Sequence, residues 1–171
     1  MLAGCAQQRP SSAFADQLNA PYVLSSGDKM RVLVYGQENL SNIYTIDGAG
    51  QISMPLVGGV PASGLTTAEL EQEVSRRLQN GYIREPNVSI EVEQYRPFFV
   101  LGEVNQSGQF PYVNGLTAQT AVAIAGGYTP RADRGEVEIT RQVAGRLVTG
   151  HVPASYPLRP GDTILVKERW F

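Results

Sequence analysis

Two seven-residue stretches, YVLSSGD at Tyr22–Asp28 and YPLRPGD at Tyr156–Asp162, stand near opposite ends of this 171-residue chain. They share a tyrosine, a leucine and a Gly-Asp turn at the same spacing. A second pair recurs between them: Gly64-Leu65-Thr66 and Gly115-Leu116-Thr117 each open a helical pattern, and Gly81-Tyr82 and Gly127-Tyr128 follow the two patterns. A chain laid out this way folds as two halves on one plan, each a small sheet crossed by one main helix. The boundary falls near Tyr95-Arg96-Pro97. Residues 1–20 then form a lead-in, 21–96 a first domain and 97–171 a second, and the fold class is α+β with two small β-rich domains.

The local patterns fill in this plan. Met30 to Tyr35 is a nearly continuous apolar strand, and NIYTIDGAGQISMPLVG reads as a hairpin turning at Asp47-Gly48-Ala49-Gly50. Thr66 and Glu69 have capping-box spacing, and Leu65 and Leu70 are placed for a hydrophobic staple. Leu70, Val74 and Leu78 make one buried stripe, and Gly81 supplies a left-handed stop. Val88, Ile90 and Val92 alternate with Ser89, Glu91 and Glu93, giving a strand with one wet face. In the second half FFVLGEV and GQFPYV are strands and Gly115–Tyr128 holds a short alanine-rich helix. Val137 and Ile139 point inward, Ala144-Gly145 turns a hairpin, and the last strand lies in YPLRPGDTILVKERWF. Residues 6–20 are small, polar and unpatterned, as in a flexible tether.

Composition narrows the function classes. A formal charge of −2 with no Lys/Arg stripe argues against a nucleic-acid partner. No apolar run approaches the ~20 residues of a membrane helix. His151 is the only histidine, so no His-based metal cluster can be assembled and no catalytic relay with a second histidine. Its setting, LVTGHVPA, suits a strand end or loop. Asp28 and Asp162 could form a hydrolytic carboxylate pair only across the two domains, and turn chemistry accounts for both. Gly126-Gly127 close a helix rather than open one, which disfavours an anion. Arg131, Arg134, Arg141 and Arg146 read as a solvated face. Phe98 and Phe99 read as core residues, with a carbohydrate-stacking surface as the sharper alternative. No catalytic residue, metal site or cofactor is expected, and the chain is read as a non-enzyme.

Cys5 is the only cysteine, so it forms no disulfide within the chain. Leu2-Ala3-Gly4-Cys5 reads as the box at which bacterial signal peptides are cut and the new N-terminal cysteine is lipidated. Only Met1 to Gly4 precede it, so the apolar run of a signal peptide is missing here. Either the sequence begins late or the box is accidental.

With these residues laid out, the order of motifs resembles that of the Wza-like outer-membrane polysaccharide export lipoproteins. Leu24 through Tyr95, with LSNIYTIDGAGQISMPLVGGVPASGLTTAELEQEVSRRL and PNVSIEV, is similar to their export domain. FFVLGEVNQSGQFPYVNGLTAQTAVAIAGGYTPRA and LRPGDTILVKERWF are similar to their soluble-ligand-binding β-grasp (SLBB) module. The resemblance implies a lipid-anchored periplasmic protein, acylated at Cys5 and held to the inner leaflet of the outer membrane. It implies a homo-oligomeric ring or collar through which capsular or exopolysaccharide passes, handed over by an inner-membrane polysaccharide co-polymerase. It defines no substrate-binding residues.

Larger relatives add further β-grasp modules and a C-terminal membrane-crossing helix. This sequence stops at Trp170-Phe171, which implies a short member needing a separate outer-membrane exit protein. Those two rings could rest at the lipid interface or pack on the core. The alternative is a monomeric tethered module binding saccharide or peptidoglycan.

Overall fold

The computed structural model describes Phe14 and residues 20–169. They form two units: Pro21–Arg96, and Pro97 onward with Phe14 and Ala20 joined to it. Cys5, most of the lead-in and Trp170-Phe171 lie outside the described residues.

The first unit runs β1 (Lys29–Val34), a 3-10 turn (Glu38–Leu40), β2 (Asn42–Thr45), β3 (Gln51–Met54), β4 (Gly58–Pro61), α1 (Thr67–Gln79) and β5 (Val88–Gln94). β1 is the centre of an antiparallel sheet of order β2-β1-β5. Its alternate residues Met30, Val32 and Val34 are buried, while Lys29, Arg31 and Leu33 face outward. α1 forms where the sequence places it. Thr66 Oγ1 accepts from Glu69 N, and the Glu69 carboxylate accepts from Thr66 N at 2.7 Å, closing the capping box. Leu70, Val74 and Leu78 are buried on one stripe, and Gly81 sits at φ +103° just past the helix.

The expected hairpin after Leu40 is corrected. The turn exists, with Asp47 Oδ1 accepting from Ala49 N and Gln51 N at 2.9 Å each. The strands on its two sides do not pair with each other: β2 pairs with β1, and β3 pairs with β4. Ile46 N donates to Asp28 O at 3.0 Å, carrying the β1–β2 ladder past the strand end. Buried Ile52 lies opposite buried Val60, which gives β3 a better-matched partner.

The second unit runs β6 (Phe98–Gly102), β7 (Gly108–Phe110), α2 (Ala118–Ile124), β8 (Glu136–Val143), β9 (Arg146–Pro153) and β10 (Thr163–Val166). Its five-stranded sheet has the order β7-β6-β10-β8-β9, with β10 parallel to β6 and antiparallel to β8. The last strand of the chain is thus the middle of the sheet. One helix crosses a mixed sheet with a central parallel pair, a β-grasp arrangement. Ala118 and Ala121 are fully buried, and their small side chains let α2 lie close to the sheet. Ala144 and Gly145 take φ +48° and +78°, as the two-residue turn between β8 and β9 requires.

Phe14 departs from the tether reading. Its ring is 0% exposed and packs edge-on to Tyr156 at 6.0 Å, while its carbonyl accepts from the Tyr156 hydroxyl at 2.9 Å. Arg159 Nη2 donates to Ala20 O at 2.8 Å. A single aromatic in a polar stretch carries no periodicity, so no sequence pattern marks it.

Phe14→Ala removes a fully buried ring and lowers the stability of the second unit by about 3 kcal/mol, measured as faster exchange of the β6 and β10 amides. On α1, hydrogen bonds from Arg76 and Arg77 hold the Glu73 carboxyl down at about 2, against an ordinary 4.5. A carboxyl depressed in the folded state stabilises above its unfolded value and loses that contribution as pH falls toward the folded one. Stability therefore declines between pH 4.5 and 2, and Glu73→Gln flattens that part of the acid limb. The carboxylate lies near the surface, so added salt shrinks the difference.

Candidate functional site

Asp28 and Asp162, the residues singled out as a conceivable catalytic pair, are both 0% exposed, and each is saturated inside its own unit. Asp28 Oδ2 accepts from the Tyr22 hydroxyl at 2.6 Å, Ser25 N at 2.9 Å and Arg96 Nη1 at 3.3 Å, and Oδ1 accepts from Arg96 N at 2.9 Å. Asp162 takes a bidentate guanidinium, Arg141 Nε at 2.8 Å and Nη2 at 2.7 Å, and its Oδ2 also accepts from Arg159 N at 2.8 Å. In both units the turn places glycine third at positive φ, Gly27 at +94° and Gly161 at +84°, and the aspartate carboxylate binds the amide of the turn's first residue.

The likeness extends further. Arg96 lies over the Tyr22 ring at 5.9 Å and Arg141 over the Tyr156 ring at 5.5 Å. Leu24 N donates to Leu65 O, and Leu158 N to Leu116 O, both at 2.8 Å and both just before a helix N-cap. Each node thus joins turn, tyrosine, arginine and helix start. The chain reaches the parts in a different order, turn before helix in the first unit and helix before turn in the second. These carboxylates have no lone pair facing solvent, and their work is structural. Burial, then the hydrogen bond to Asp28, raises the Tyr22 hydroxyl far above its usual range.

Arg141 corrects the solvated-arginine reading. It is 4% exposed and belongs to the Asp162 node, whereas Arg131 is exposed and bridges Glu103 at 3.0 Å. The signal was available: Val137, Ile139 and Arg141 share one parity on β8. His151 lies within β9, with Nδ1 3.3 Å from Glu136 and Nε2 3.6 Å from Glu138, and Lys167 is 2.7 Å from Glu138. Among the described residues no group of three or more metal-ligating side chains converges. Gly126 and Gly127 follow α2 at positive φ, past the helix end. The two phenylalanines divide: Phe98 is buried in the core, and Phe99 is 38% exposed beside Leu101 on the outer sheet face.

Ser89, Glu91 and Glu93 face outward from β5 as their alternation predicts, and Arg31 pairs with Glu93 at 2.8 Å across the sheet. No described helix is long and apolar enough to cross a membrane.

Residues 16–93 match the family described as polysaccharide biosynthesis/export protein, and residues 97–152 match the SLBB domain. Similar proteins include the exopolysaccharide production protein ExoF of Rhizobium meliloti, 37% identical over 148 residues, which cover 80% of this chain and 34% of ExoF. The EPS I polysaccharide export outer membrane protein EpsA of Ralstonia nicotianae is 29% identical over 137 residues, 74% of this chain and 36% of EpsA. The polysialic acid transport protein KpsD of Escherichia coli is 27% identical over 164 residues, 88% of this chain and 29% of KpsD. The chain spans about a third of the length of these curated relatives.

The two units thus match an export domain followed by an SLBB domain, the arrangement of a family of polysaccharide export proteins rather than of enzymes. The chain belongs to the polysaccharide biosynthesis/export proteins that carry an SLBB domain. The central strand β10 lies beyond the SLBB match, yet completes that sheet.

The nodes make a testable claim about stability. Arg141→Leu or Asp162→Leu alone strands a buried charge and costs about 3–5 kcal/mol, whereas the double variant recovers most of the loss. Chemical denaturation of the three variants reads this directly.

Proposed function

We propose that this chain is a periplasmic, lipid-anchored component of a polysaccharide export machine. It passes capsular or exopolysaccharide toward the outer membrane as part of a homo-oligomeric ring or collar, receiving polymer from an inner-membrane polysaccharide co-polymerase. The observation that carries this reading is the order of the two units, export domain then SLBB domain, shared with relatives named for exopolysaccharide production, EPS I export and polysialic acid transport.

Two physical features support it. First, the main sheet of each unit ends in edge strands with no further strand partner among the described residues: β2 and β5 in the first unit, β7 and the eight-residue β9 in the second. Identical neighbours related by a closing rotation cover such edges all round. Second, the outward face of β5 carries Ser89, Glu91 and Glu93, with Glu93 paired to Arg31, a polar surface along which a hydrated polymer slides without being gripped. Acylation of Cys5 supplies the anchor. Each buried CH₂ contributes about 0.8 kcal/mol, so several acyl chains on one cysteine hold a protein durably.

The test is the native mass of the protein extracted in mild detergent from its own membranes, with mass analysis of the N-terminal peptide. A closed oligomer with lipid on Cys5 is expected, and Cys5→Ser moves the protein to the soluble periplasmic fraction. A monomer contradicts the ring and leaves a tethered saccharide-binding module as the better account.

A further inference from the structure

Three open depressions lie side by side on the first unit, each neighbouring pair sharing lining residues. One, of about 490 Å³, lies beside the loop after β1 and includes Tyr35, Gln37 and Asn87. The next, of about 730 Å³, lies between the outer side of α1 and the chain entering β5, and shares Asn87 with the first. The third, of about 430 Å³, reaches Pro61 and Leu65 and shares Gln72 and Arg76 with the second. All three belong to one compact unit. All are open to solvent rather than enclosed, and side by side they form a track that suits something extended lying on the surface.

The lining chemistry is unusual for a surface helix. Gln72, Ser75 and Gln79 stand at i, i+3 and i+7, so they form one row along α1. Their neutral side chains both donate and accept hydrogen bonds. None of Gln37, Gln72, Ser75, Gln79 or Asn87 hydrogen-bonds through its side chain to another described residue, so their capacity is open to a ligand. Tyr35 stands at the head of the track, 86% exposed, while its backbone N–H is fixed on Asn87 O at 2.9 Å. An exposed aromatic ring offers an apolar face with a polar rim.

The charges narrow the partner. Glu38 and Glu85 line the track, and its one guanidinium, Arg76, is already held by Glu73 at 2.8 Å. A polyanion meets net repulsion here. A chain of hydroxyl-rich rings fits better, since each ring has a C–H face to lie on Tyr35 and hydroxyls to bond the amide row.

We propose that this track is a weak binding site for a neutral glycan chain several sugars long. The proposal rests on the polysaccharide-export reading and assigns the surface and the charge class of the polymer. The ligand chemistry is shared by an exported neutral polysaccharide and by amino-sugar glycan strands of the cell wall.

The experiment is an NMR titration of the protein with three hexasaccharides: cellohexaose, chitohexaose and the acidic hyaluronan hexamer. Neutral hexamers are expected to shift the amides of Tyr35, Asn87, Gln72 and Gln79 with millimolar affinity, and hyaluronan to leave them unmoved. A cellohexaose preference points to exported polymer and a chitohexaose preference to cell wall; either supports the site. Tyr35→Ala is expected to weaken binding about tenfold, with the remaining spectrum unchanged as the control for folding. The variant Gln72→Ala/Gln79→Ala probes the far end, away from Tyr35, and is expected to weaken hexamer binding as well.

No shift up to about 10 mM sugar, shifts outside the track, or equal binding of hyaluronan would overturn the proposal. A silent track in a protein whose removal still blocks polymer export defeats the site alone. A silent track together with undisturbed export defeats the export reading too.

Discussion

Asp28 and Asp162 each carry a carboxylate into a place without solvent, and the remainder of each unit is arranged around making that tolerable. An unpaired buried charge is costly enough to unfold a small domain, so every acceptor position must be filled. Filling them pulls remote parts of the chain together. Tyr22 and Arg96 close the two ends of the first unit on Asp28, and Arg141 ties β8 to the turn before β10. The same turn aims the following strand into the middle of its sheet. Each helix start is then placed by the leucine four residues before the aspartate. One local device, used twice, thereby sets strand, helix and closure in both units.

With the interior committed to structure, function is left to the surfaces. The ionisable side chains that might have done chemistry are spent: the two aspartates in turns, Arg141 on Asp162, and His151 between two glutamates on an open sheet face. What faces outward mixes polar and charged side chains with single exposed apolar ones, the rings of Tyr35, Tyr82 and Phe99 and the aliphatic Leu33 and Leu147 among them. Such surfaces suit contact with a hydrated polymer or with a neighbouring copy.

Much of this was legible beforehand because it is local. The capping box at Thr66 and Glu69, the stripe of Leu70, Val74 and Leu78, the stop at Gly81 and the wet face of β5 are periodic or short-range signals, and all are present. The repeated YxLxxGD motif announced two halves on one plan. What escaped was non-local. Nothing near Asn42 or Gln51 says that β2 pairs with β1 and β3 with β4. Phe14 has no patterned neighbours to mark it as core. Arg141 reads as surface among arginines scattered over a loop and a hairpin, although its parity on β8 points inward. The surface track was invisible for the same reason, since it joins a strand end, a helix face and a loop far apart in sequence.

The central claim is that polymer passes by way of this protein. The most direct measurement removes it from cells making the polysaccharide and weighs polymer at the surface against polymer retained within the envelope. Surface polymer lost, with undiminished synthesis and accumulation behind the outer membrane, is the predicted result. Unchanged surface polymer, or loss of synthesis itself, would contradict the account.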